Sequence, residues 1–164
     1  MQGNLDFFIC HSEGFELLSN VEQLICKPLA GLEVNAVVSP KAKFLNTQPD
    51  VTQYPWTFPK VEVLKTSKDS FYLNYFRKIK ANGSILYEID NADARMKLAL
   101  SGKAATVSSS IQAKKYIRSG QLQKLPIDID SFPLSTFHLS TKPLSWKSKR
   151  ILEMIKGYIE IINR

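Results

Sequence analysis

The sequence predicts an α/β protein whose sheets are mainly parallel. Between residues 61 and 118, short apolar runs of strand length alternate with stretches of helical period. Alternation of this kind is typical of βαβ units, in which helices cover both faces of a parallel sheet. The composition agrees, because 44% of the 164 residues are hydrophobic and 23% are charged, values that suit a soluble globular protein.

The first part of the chain predicts three strands followed by a loop. Apolar runs of strand length occur at Leu5–Cys10, Leu24–Leu29 and Leu32–Ser39, and a small Ala-Gly pair separates the last two. Residues 46–59 contain three prolines and show no helical period. They predict a loop with turns and a boundary between two lobes.

The clearest helix signal follows a strand candidate at 61–64. Thr66 stands three residues before Asp69, which resembles a capping box. Gly83 follows the end of the pattern, as expected for a helix stop. The predicted inner face has helical spacing and consists of Tyr72, Tyr75, Phe76 and Ile79.

A second strand and helix come next. Ile85–Ile89 predicts a short strand, and Asp90 or Asn91 is placed to cap the helix that follows. A Ser-Gly pair at 101–102 predicts the end of that helix. The expected inner face consists of Ala92, Met96, Ala99 and Leu100.

The stretch LALSGKAATVSSS, residues 98–110, connects this helix to a third one. Ala104–Val107 has no large side chain, which suits a strand buried between packed elements. The serines then begin a helix expected over Ile111–Arg118, and Gly120 ends it.

The last part of the chain predicts a short strand, a longer strand and a helix. The strands are expected at 122–125 and 135–141, and the helix over Ser145–Ile162. The face expected to pack inward consists of Ile151, Ile155, Tyr158 and Ile162.

Charge, cysteine content and the lack of long apolar runs indicate the cellular location that we expect for the protein. The formal net charge is +7, but the basic residues are spread along the chain, with the densest group at 142–150. Two cysteines, Cys10 and Cys26, form neither a disulfide framework nor a metal spacing. No apolar run reaches the roughly 18 residues that a membrane span requires, and the acidic N-terminus does not resemble a signal peptide. We therefore expect a cytoplasmic protein with reduced thiols and no membrane partner.

Several stretches resemble, in their order, motifs of the effector-binding domain of LysR-type transcriptional regulators. Gly3 with LDFFIC resembles the family's Gly-x-Leu-Asp strand, KPLAGLEVNAVVSPKAKF resembles an apolar strand before a turn, and DVTQYPW resembles the segment before the lobe crossover. MKLALSGKAATVSSS resembles a helix with a glycine turn and a buried strand, and SGQLQKLPID resembles a Gly-x-Leu strand. HLSTKPLSWKSKRILEMI resembles the closing strand with its helix.

This resemblance implies a two-lobed, periplasmic-binding-protein-like (type II), Rossmann-like fold whose first lobe is incomplete. The expected lobes are residues 1–58 plus 143–164, and residues 59–142. A complete family member has an N-terminal helix-turn-helix and further first-lobe elements that have no counterpart before Gln2. The chain therefore resembles a fragment or a truncated relative, and DNA is expected as a partner only through the missing part. Because family domains pair side by side, a homo-oligomer is also expected.

Two positions depart from the family pattern. Lys103 and Ala104 follow Gly102 where the family has a second glycine, and a lysine there alters the pocket side of the turn. Pro40 and Lys41 stand where the family has a His-Pro pair.

The resemblance implies a small effector in the cleft between the lobes, and helix starts supply candidate contacts. The first turn of a helix offers free N–H groups and about half a positive charge, which favours an anion such as an organic acid. The same side chains also serve as ordinary N-caps, and the two roles are compatible. The candidate contacts are Thr66, Ser67, Asn91, Ser108 and Ser109.

Histidine supplies one further candidate. His11 follows the LDFFIC strand, at a position where carboxylate-binding relatives of the family can have a basic side chain. A histidine there could pair with an acid and titrate near neutral pH, although an exposed loop histidine remains the alternative. His138 lies within an alternating strand, and we expect a structural role for it.

Other functions are open or disfavoured. A solute-binding lobe of a transport-type binding protein and a truncated pseudo-domain that binds nothing both remain alternatives. An enzyme is not expected, because Ser109 and His138 lack a Gly-x-Ser-x-Gly elbow and a placed acid, and Asp128 and Asp130 lie in a predicted loop. No phosphate-binding loop, dinucleotide fingerprint or zinc spacing occurs, so neither cofactor nor metal is expected.

Overall fold

The computed structural model describes residues 6–11, 23–59, 77–82, 84, 86–127, 129 and 131–163. In chain order its elements are β1 (Phe8–His11), β2 (Leu24–Leu32), β3 (Val34–Val38), β4 (Trp56–Phe58), β5 (Leu86–Glu88), α1 (Ala92–Leu100), β6 (Ala105–Ser109), α2 (Ser110–Arg118), β7 (Gln123–Lys124), β8 (Phe132–Leu139) and α3 (Trp146–Asn163). Short 3₁₀ turns occupy Lys43–Asn46 and Val51–Gln53. The α/β class predicted from the sequence is confirmed.

The chain divides into two compact units. Unit 1 comprises Met1–Glu33 and Ser131–Arg164, and unit 2 comprises Val34–Asp130. These bounds differ from those of the predicted lobes, residues 1–58 plus 143–164 and residues 59–142, because β8 pairs with β1 and β2 while β3 and β4 belong to the other sheet. The assignment of the family's two lobes to those ranges stays a prediction.

Unit 1 contains an antiparallel sheet in the order β1-β8-β2, and α3 packs against β2. Phe137 in the central strand is fully buried and stacks on Phe8, with ring centroids 5.0 Å apart. The predicted break at Ala30 and Gly31 is wrong, since β2 continues to Leu32. A bulge after Pro28, which has no N–H for the ladder, shifts the register and lets the strand continue.

The two cysteines lie in strands that β8 separates. Cys10 is in β1 and Cys26 is in β2, so their backbones lie at least two strand spacings, roughly 9.6 Å, apart. A disulfide requires Cα atoms within about 7 Å, and neither Cys10 nor Cys26 forms one. Partial burial raises the pKa of the Cys10 thiol, and the nearby Cys26 thiol raises it further. The raised pKa keeps the Cys10 thiol protonated and unreactive.

The inward face of α3 differs from the predicted one. The side chains of Ser148 and Ile159 are buried, whereas Ile151 is 48% exposed and Tyr158 is 59% exposed. The prediction of Ile151 and Tyr158 as inward-facing is therefore wrong. Apolar residues cover two adjoining stripes of this helix, and helical spacing alone does not distinguish which stripe meets the sheet.

The start of α3 is tied to the first described residue of unit 1. Ser145 caps the helix, because its Oγ accepts the backbone N–H of Ser148 at 3.1 Å. Ser148 Oγ in turn donates to one carboxylate oxygen of Asp6 at 3.0 Å, and Lys142 Nζ binds the other at 2.9 Å. These interactions, the hydrogen bond from Lys142 foremost, lower the pKa of Asp6.

Unit 2 contains a mixed sheet in the order β5-β4-β6-β3-β7. β4 pairs in parallel with β5 and with β6, whereas β3 is antiparallel to both β6 and β7. The parallel pairing predicted from strand–helix alternation thus holds where β5, α1 and β6 form a crossover. β3 and β7 lie outside that alternation.

Strand β4 corrects the prediction of a continuous loop over 46–59. Trp56 and Phe58 are both fully buried, and their rings lie 5.6 Å apart. Pro55 and Pro59 disfavour longer regular structure on either side, but Pro55 still contributes its carbonyl to Ala105 N at 2.7 Å. The Trp56 indole donates to Val51 O at 2.8 Å.

Helices α1 and α2 share one core cluster on this sheet. The cluster consists of Val37, Met96, Ala99, Ala113 and Leu122. The predicted helix ends are confirmed, since Gly102 and Gly120 have φ of +71° and +70° directly after α1 and α2, a conformation that glycine adopts without strain.

Several predictions fall wholly or partly outside the described residues. These are the strand at 61–64, the capping pair Thr66 and Asp69, and most of the helix that follows; its last part, 77–81, is helical. Ile79 in that part is fully buried. Within the described ranges no helix is both long and apolar enough to cross a membrane.

Replacing Thr57 by Val tests the core of unit 2. Thr57 is fully buried, and among the described residues its hydroxyl has no hydrogen-bond partner. Thr57→Val removes this hydroxyl at nearly constant volume, so we expect the free energy of unfolding in urea to rise by about 1 kcal/mol. The matched control is Thr106→Val, which removes the 3.1 Å bond from Thr106 Oγ1 to Thr57 O and should cost about 1 kcal/mol. Equal destabilisation by both substitutions would contradict this account.

Asp6 gives unit 1 a pH-dependent contribution. Its folded-state pKa is lowered, so the carboxylate stabilises the fold above the unfolded pKa of about 4 and loses this effect as pH falls through the folded pKa. Asp6→Asn should therefore lower the free energy of unfolding at neutral pH. At acidic pH the free energies of unfolding of the variant and of the unsubstituted chain should become equal. Urea titrations across this range measure both values. When Lys142→Met is already present, the difference in the free energy of unfolding caused by Asp6→Asn should be smaller. A difference that does not change with pH would refute the assignment.

Candidate functional site

The carboxyl ends of three parallel strands lie side by side in unit 2. Phe58 of β4 is in register with Glu88 of β5, and Thr57 is in register with Thr106 of β6. The N–H of Ile89 extends the first ladder by donating to Phe58 O at 2.7 Å. Helix α1 begins shortly after β5 and α2 begins directly after β6, so both helix starts emerge from one edge of the sheet, where ligands of open α/β sheets bind.

At the start of α1, side chains of the same segment make hydrogen bonds to the backbone. Asn91 Oδ1 accepts the backbone N–H of Ala94 at 2.9 Å, as an N-cap does. The guanidinium of Arg95 reaches back to the carbonyls of Ile89 at 2.5 Å and Asp90 at 2.8 Å. The loop between β5 and α1 is therefore held rigidly, and a cation lies beside the helix start.

The N-cap residue at the start of α2 makes no such hydrogen bond. Ser109 is the N-cap residue, yet its side chain makes no capping hydrogen bond. The N–H groups of the first turn therefore receive no acceptor from the side chain of Ser109. Ser108, 5% exposed, places its Oγ 3.3 Å from Oε1 of Gln112.

A buried polar pair fixes the backbone at the same point. Asn35 Nδ2 donates to Ser110 Oγ at 3.1 Å, and both side chains are buried. Val34 of β3 is in register with Ser109. The ladder thus holds the backbone to β3 up to Ser109, and a side chain of β3 holds Ser110, the first residue of α2, so Ser108 and Ser109 lie within a rigid frame.

A groove of about 230 Å³ lies between α1 and α2 near their first turns. Its lining includes a carboxylate, Asp93, and an ammonium group, Lys115, whose Nζ lies 4.6 Å from the centroid of the Tyr116 ring. The other lining residues are Met96, Ile111, Gln112 and Tyr116.

A larger concavity, about 610 Å³, lies at the carboxyl ends of the same helices. Carbonyl groups and the negative end of the helix dipole face outward there, which disfavours an anion. We therefore regard the edge with the helix starts as the candidate site despite its smaller volume. The larger concavity is lined by Ser39, Pro40, Lys41, Leu100, Tyr116, Ser119, Gly120 and Gln121.

Three of the sequence-predicted site residues lie at this edge: Asn91, Ser108 and Ser109. His11 is the last residue of β1 in unit 1, in register with Leu134, and Thr66 and Ser67 lie outside the described residues. All six residues remain predictions as effector ligands.

Sequence reasoning missed Asn35, Arg95 and Gln112. Asn35 is the one polar residue in the apolar run VNAVV of β3, which is a usable signal, because a buried polar side chain requires a partner. Arg95 and Gln112 look like ordinary solvent-facing helix residues in the sequence. Their roles depend on how the chain turns before each helix.

The residues considered for catalysis belong to different units of the chain or lie outside the described residues. Ser109 belongs to unit 2, whereas His138 lies in β8 of unit 1, 7% exposed and in register with Ile25. Asp128 and Asp130 lie outside the described residues. Over the described ranges, no three His, Cys, Asp or Glu side chains group in a way that could hold a metal ion.

The fold is similar to that of the solved effector-binding domains of LysR-type transcriptional regulators, which is a type II periplasmic-binding-protein-like fold. The regulatory domain of CrgA, a LysR-type regulator from Neisseria meningitidis, superposes with a TM-score of 0.62 at 14% identity, covering 94% of this chain and 76% of that one. The effector domain of AmpR from Pseudomonas aeruginosa gives 0.62 at 12% identity, covering 96% and 73%.

A third solved structure is full-length LysG from Corynebacterium glutamicum with its bound effector Arg. It superposes with a TM-score of 0.57 at 13% identity, covering 84% of this chain and 47% of LysG. No family model matches the sequence, and no curated protein matches it. The likeness therefore shows the fold, as the sequence resemblance predicted.

The two helix starts should respond differently to removal of their N-cap side chains. Asn91→Ala removes the bond to Ala94 N and should lower the free energy of unfolding by about 1 kcal/mol. Ser109→Ala removes no capping bond and should change it by less than about 0.5 kcal/mol. Urea unfolding followed by circular dichroism measures both values. A loss at Ser109 equal to that at Asn91 would show that Ser109 does cap α2.

Proposed function

We propose that this chain is the ligand-sensing domain of a LysR-type transcriptional regulator and binds a small anionic effector. The observation that carries the proposal is the start of α2, where Ser109 makes no capping bond and Ser108 is buried beside it. An anion placed there would accept the N–H groups of the first turn and a serine hydroxyl.

The fold neighbours support this choice of function. The LysG structure contains bound Arg, an amino acid whose carboxylate is the kind of group that a helix start binds. We propose Asn91, Ser108 and Ser109 as contacts in unit 2, with Thr66, Ser67 and His11 as further candidates. The predicted lobes, 1–58 plus 143–164 and 59–142, belong to this proposal.

The proposal extends to the setting of the domain. Effector binding would shift an equilibrium between two states only to the extent of its differential affinity for them. Transmission to DNA would require a helix-turn-helix on the same polypeptide or assembly. We infer a cytoplasmic homo-oligomer that performs no catalysis of its own.

Thermal-shift measurements test the proposal. The panel consists of small mono- and dicarboxylic acids and amino acids, including L-arginine, with inorganic phosphate as an anion control. A ligand at about 100 times its Kd adds about 2.7 kcal/mol of stability, which corresponds to a rise in Tm of several degrees. Absence of any stabilising compound would favour the non-binding alternative.

Two variants locate the ligand once a hit is found. Ser108→Ala combined with Ser109→Ala should weaken binding by about tenfold or more, since a lost hydrogen bond to a charged group is worth about 1.5–3 kcal/mol. The matched control is Ser119→Ala, at the other end of α2 in the larger concavity, which should leave the Kd unchanged. The reverse pattern would place the ligand at the carboxyl ends of the helices and contradict the proposed site.

A further inference from the structure

The edge of the unit 2 sheet opposite the candidate site carries a group of exposed basic residues. At this edge β3, α1 and α2 end, and β6 begins. Basic residues occur in the loop after β3, in the turn before β6 and in the last turns of both helices. We call five of them, all exposed, the basic edge: Lys41, Lys43, Lys97, Lys103 and Arg118.

A close backbone contact joins the two loops of the basic edge. Gly102 has a φ of +71°, and a Cβ built on it would lie 3.2 Å from the Cα of Ala42, which is 2% exposed. Lys41 and Lys43 flank Ala42, and Lys103 follows Gly102. Three cations that are far apart in the sequence are therefore neighbours at this contact.

Both departures from the LysR-type motif pattern lie at this contact. Lys41 stands in the place of the family's His-Pro pair, and Lys103 stands in the place of its second glycine. Because the two loops touch, each departure adds a lysine to the same part of the surface. The resemblance to the family therefore does not account for the basic edge.

The helix dipole accounts for only part of the basic edge. Cations near the carboxyl end of a helix stabilise it, which is sufficient reason for Lys97 and Arg118. The other three residues, Lys41, Lys43 and Lys103, lie outside α1 and α2. None of these three forms an ion pair with a carboxylate in the described part of the chain. Their charges are therefore accessible to an external anion.

The acidic residues of unit 2 lie mostly at the other edge of the sheet. Glu88 ends β5, and Asp90 and Asp93 lie around the start of α1, beside the candidate site. The remaining acid among the described residues of unit 2 is Asp50, whose Oδ1 accepts the N–H of Thr52 at 2.8 Å. An anionic partner that approaches the basic edge therefore meets mainly positive charge.

The shape of this surface favours an extended polyanion over a small anion. The helix carbonyls disfavour a small anion inside the larger concavity, whereas the exposed lysines around it are accessible to a chain of phosphates. The concavity also presents Ser119 and Gln121. Serine and glutamine side chains, together with lysine and arginine, supply many of the contacts to nucleic-acid phosphates.

The distribution of apolar side chains favours a duplex over a protein or a single strand. In the described part of unit 2 the exposed large hydrophobic side chains are Tyr87 and Ile111, in β5 and in the first turn of α2. Protein partners usually bury aromatic or aliphatic anchors, and single strands stack their bases on aromatic rings. The basic edge offers neither feature.

We propose that the basic edge binds the phosphate backbone of double-stranded DNA without reading its sequence. Its lysines and arginine neutralise phosphates and release the counterions condensed on the duplex. This surface is separate from the helix-turn-helix, through which alone the resemblance implies DNA contact. The choice of DNA as the polyanion rests on the proposed function, because the DNA-binding part of a regulator keeps a duplex nearby.

Fluorescence anisotropy of a labelled duplex of about 20 base pairs and arbitrary sequence tests the proposal with the whole chain. We expect a Kd of about 1–100 μM at physiological salt, the range of non-specific binding. The triple variant K41Q/K43Q/K103Q should weaken binding by about tenfold or more. It should also reduce the slope of log Kd against log salt concentration by about three, one for each lost phosphate contact. K41R/K43R/K103R should retain the Kd and the slope.

The matched control is K147Q/K149Q/K156Q, which makes the same change in net charge at three exposed lysines of α3. It should leave the slope and the Kd nearly unchanged, because the proposed contact depends on local charge. Circular dichroism should show that both triple variants keep the fold, since exposed substitutions of this kind have small effects on stability.

Four results would overturn the proposal. They are a wild-type chain that does not bind the duplex at about 50 mM salt, a control variant that weakens binding as much as K41Q/K43Q/K103Q, a single strand that binds more tightly than the duplex, and poly-L-glutamate that binds more tightly than DNA. The last result would assign the basic edge to an acidic protein. The effector panel reports separately on the proposed function, because K41Q/K43Q/K103Q should leave the Kd of any effector unchanged.

Discussion

The pairing of β6 with neighbours of opposite direction is the constraint on which unit 2 depends. β6 is parallel to β4 on one side and antiparallel to β3 on the other. Its first residue, Ala105, and the preceding Ala104 are fully buried, so the neighbouring elements approach closely. Because the ladder continues to Ser109, the backbone is fixed up to the residue at which α2 begins. The geometry of the candidate site is therefore a consequence of strand register.

The two helix starts at this edge satisfy their N–H groups in different ways. Asn91 caps α1, while Arg95 holds the preceding loop through backbone carbonyls. Ser109 offers α2 no such bond, although Asn35 and Ser110 hold the backbone in place. A rigid frame around N–H groups that Ser109 does not cap costs little reorganisation when an acceptor binds, which is the usual requirement for a preorganised site. A helix start that is already capped would first have to break the hydrogen bond from its own side chain before a ligand could bind.

The sequence predicted most elements because local signals and burial agree in them. The caps and glycine stops around α1 and α2 are examples, since Asn91, Gly102 and Gly120 act over a few residues. The prediction failed where tertiary pairing decides. Trp56–Phe58 lies between prolines yet becomes a central strand, and α3 has two apolar stripes of which only one meets the sheet. Of the site, the serines and Asn91 were visible as caps, but the bond between Asn35 and Ser110 depends on strand order.

Local donors and distant charges contribute unequally to the choice of ligand. The net charge of +7 is spread over the chain, and solvent screens such charges beyond about 8–10 Å at physiological ionic strength. The N–H groups at the start of α2 act within hydrogen-bond distance, where screening is small. Asp93 and Lys115 line the adjacent groove with opposite signs, so their long-range effects largely cancel. Selectivity at this edge would then follow from directed hydrogen bonds, and a fold shared at 12–14% identity leaves those bonds free to differ from one relative to the next.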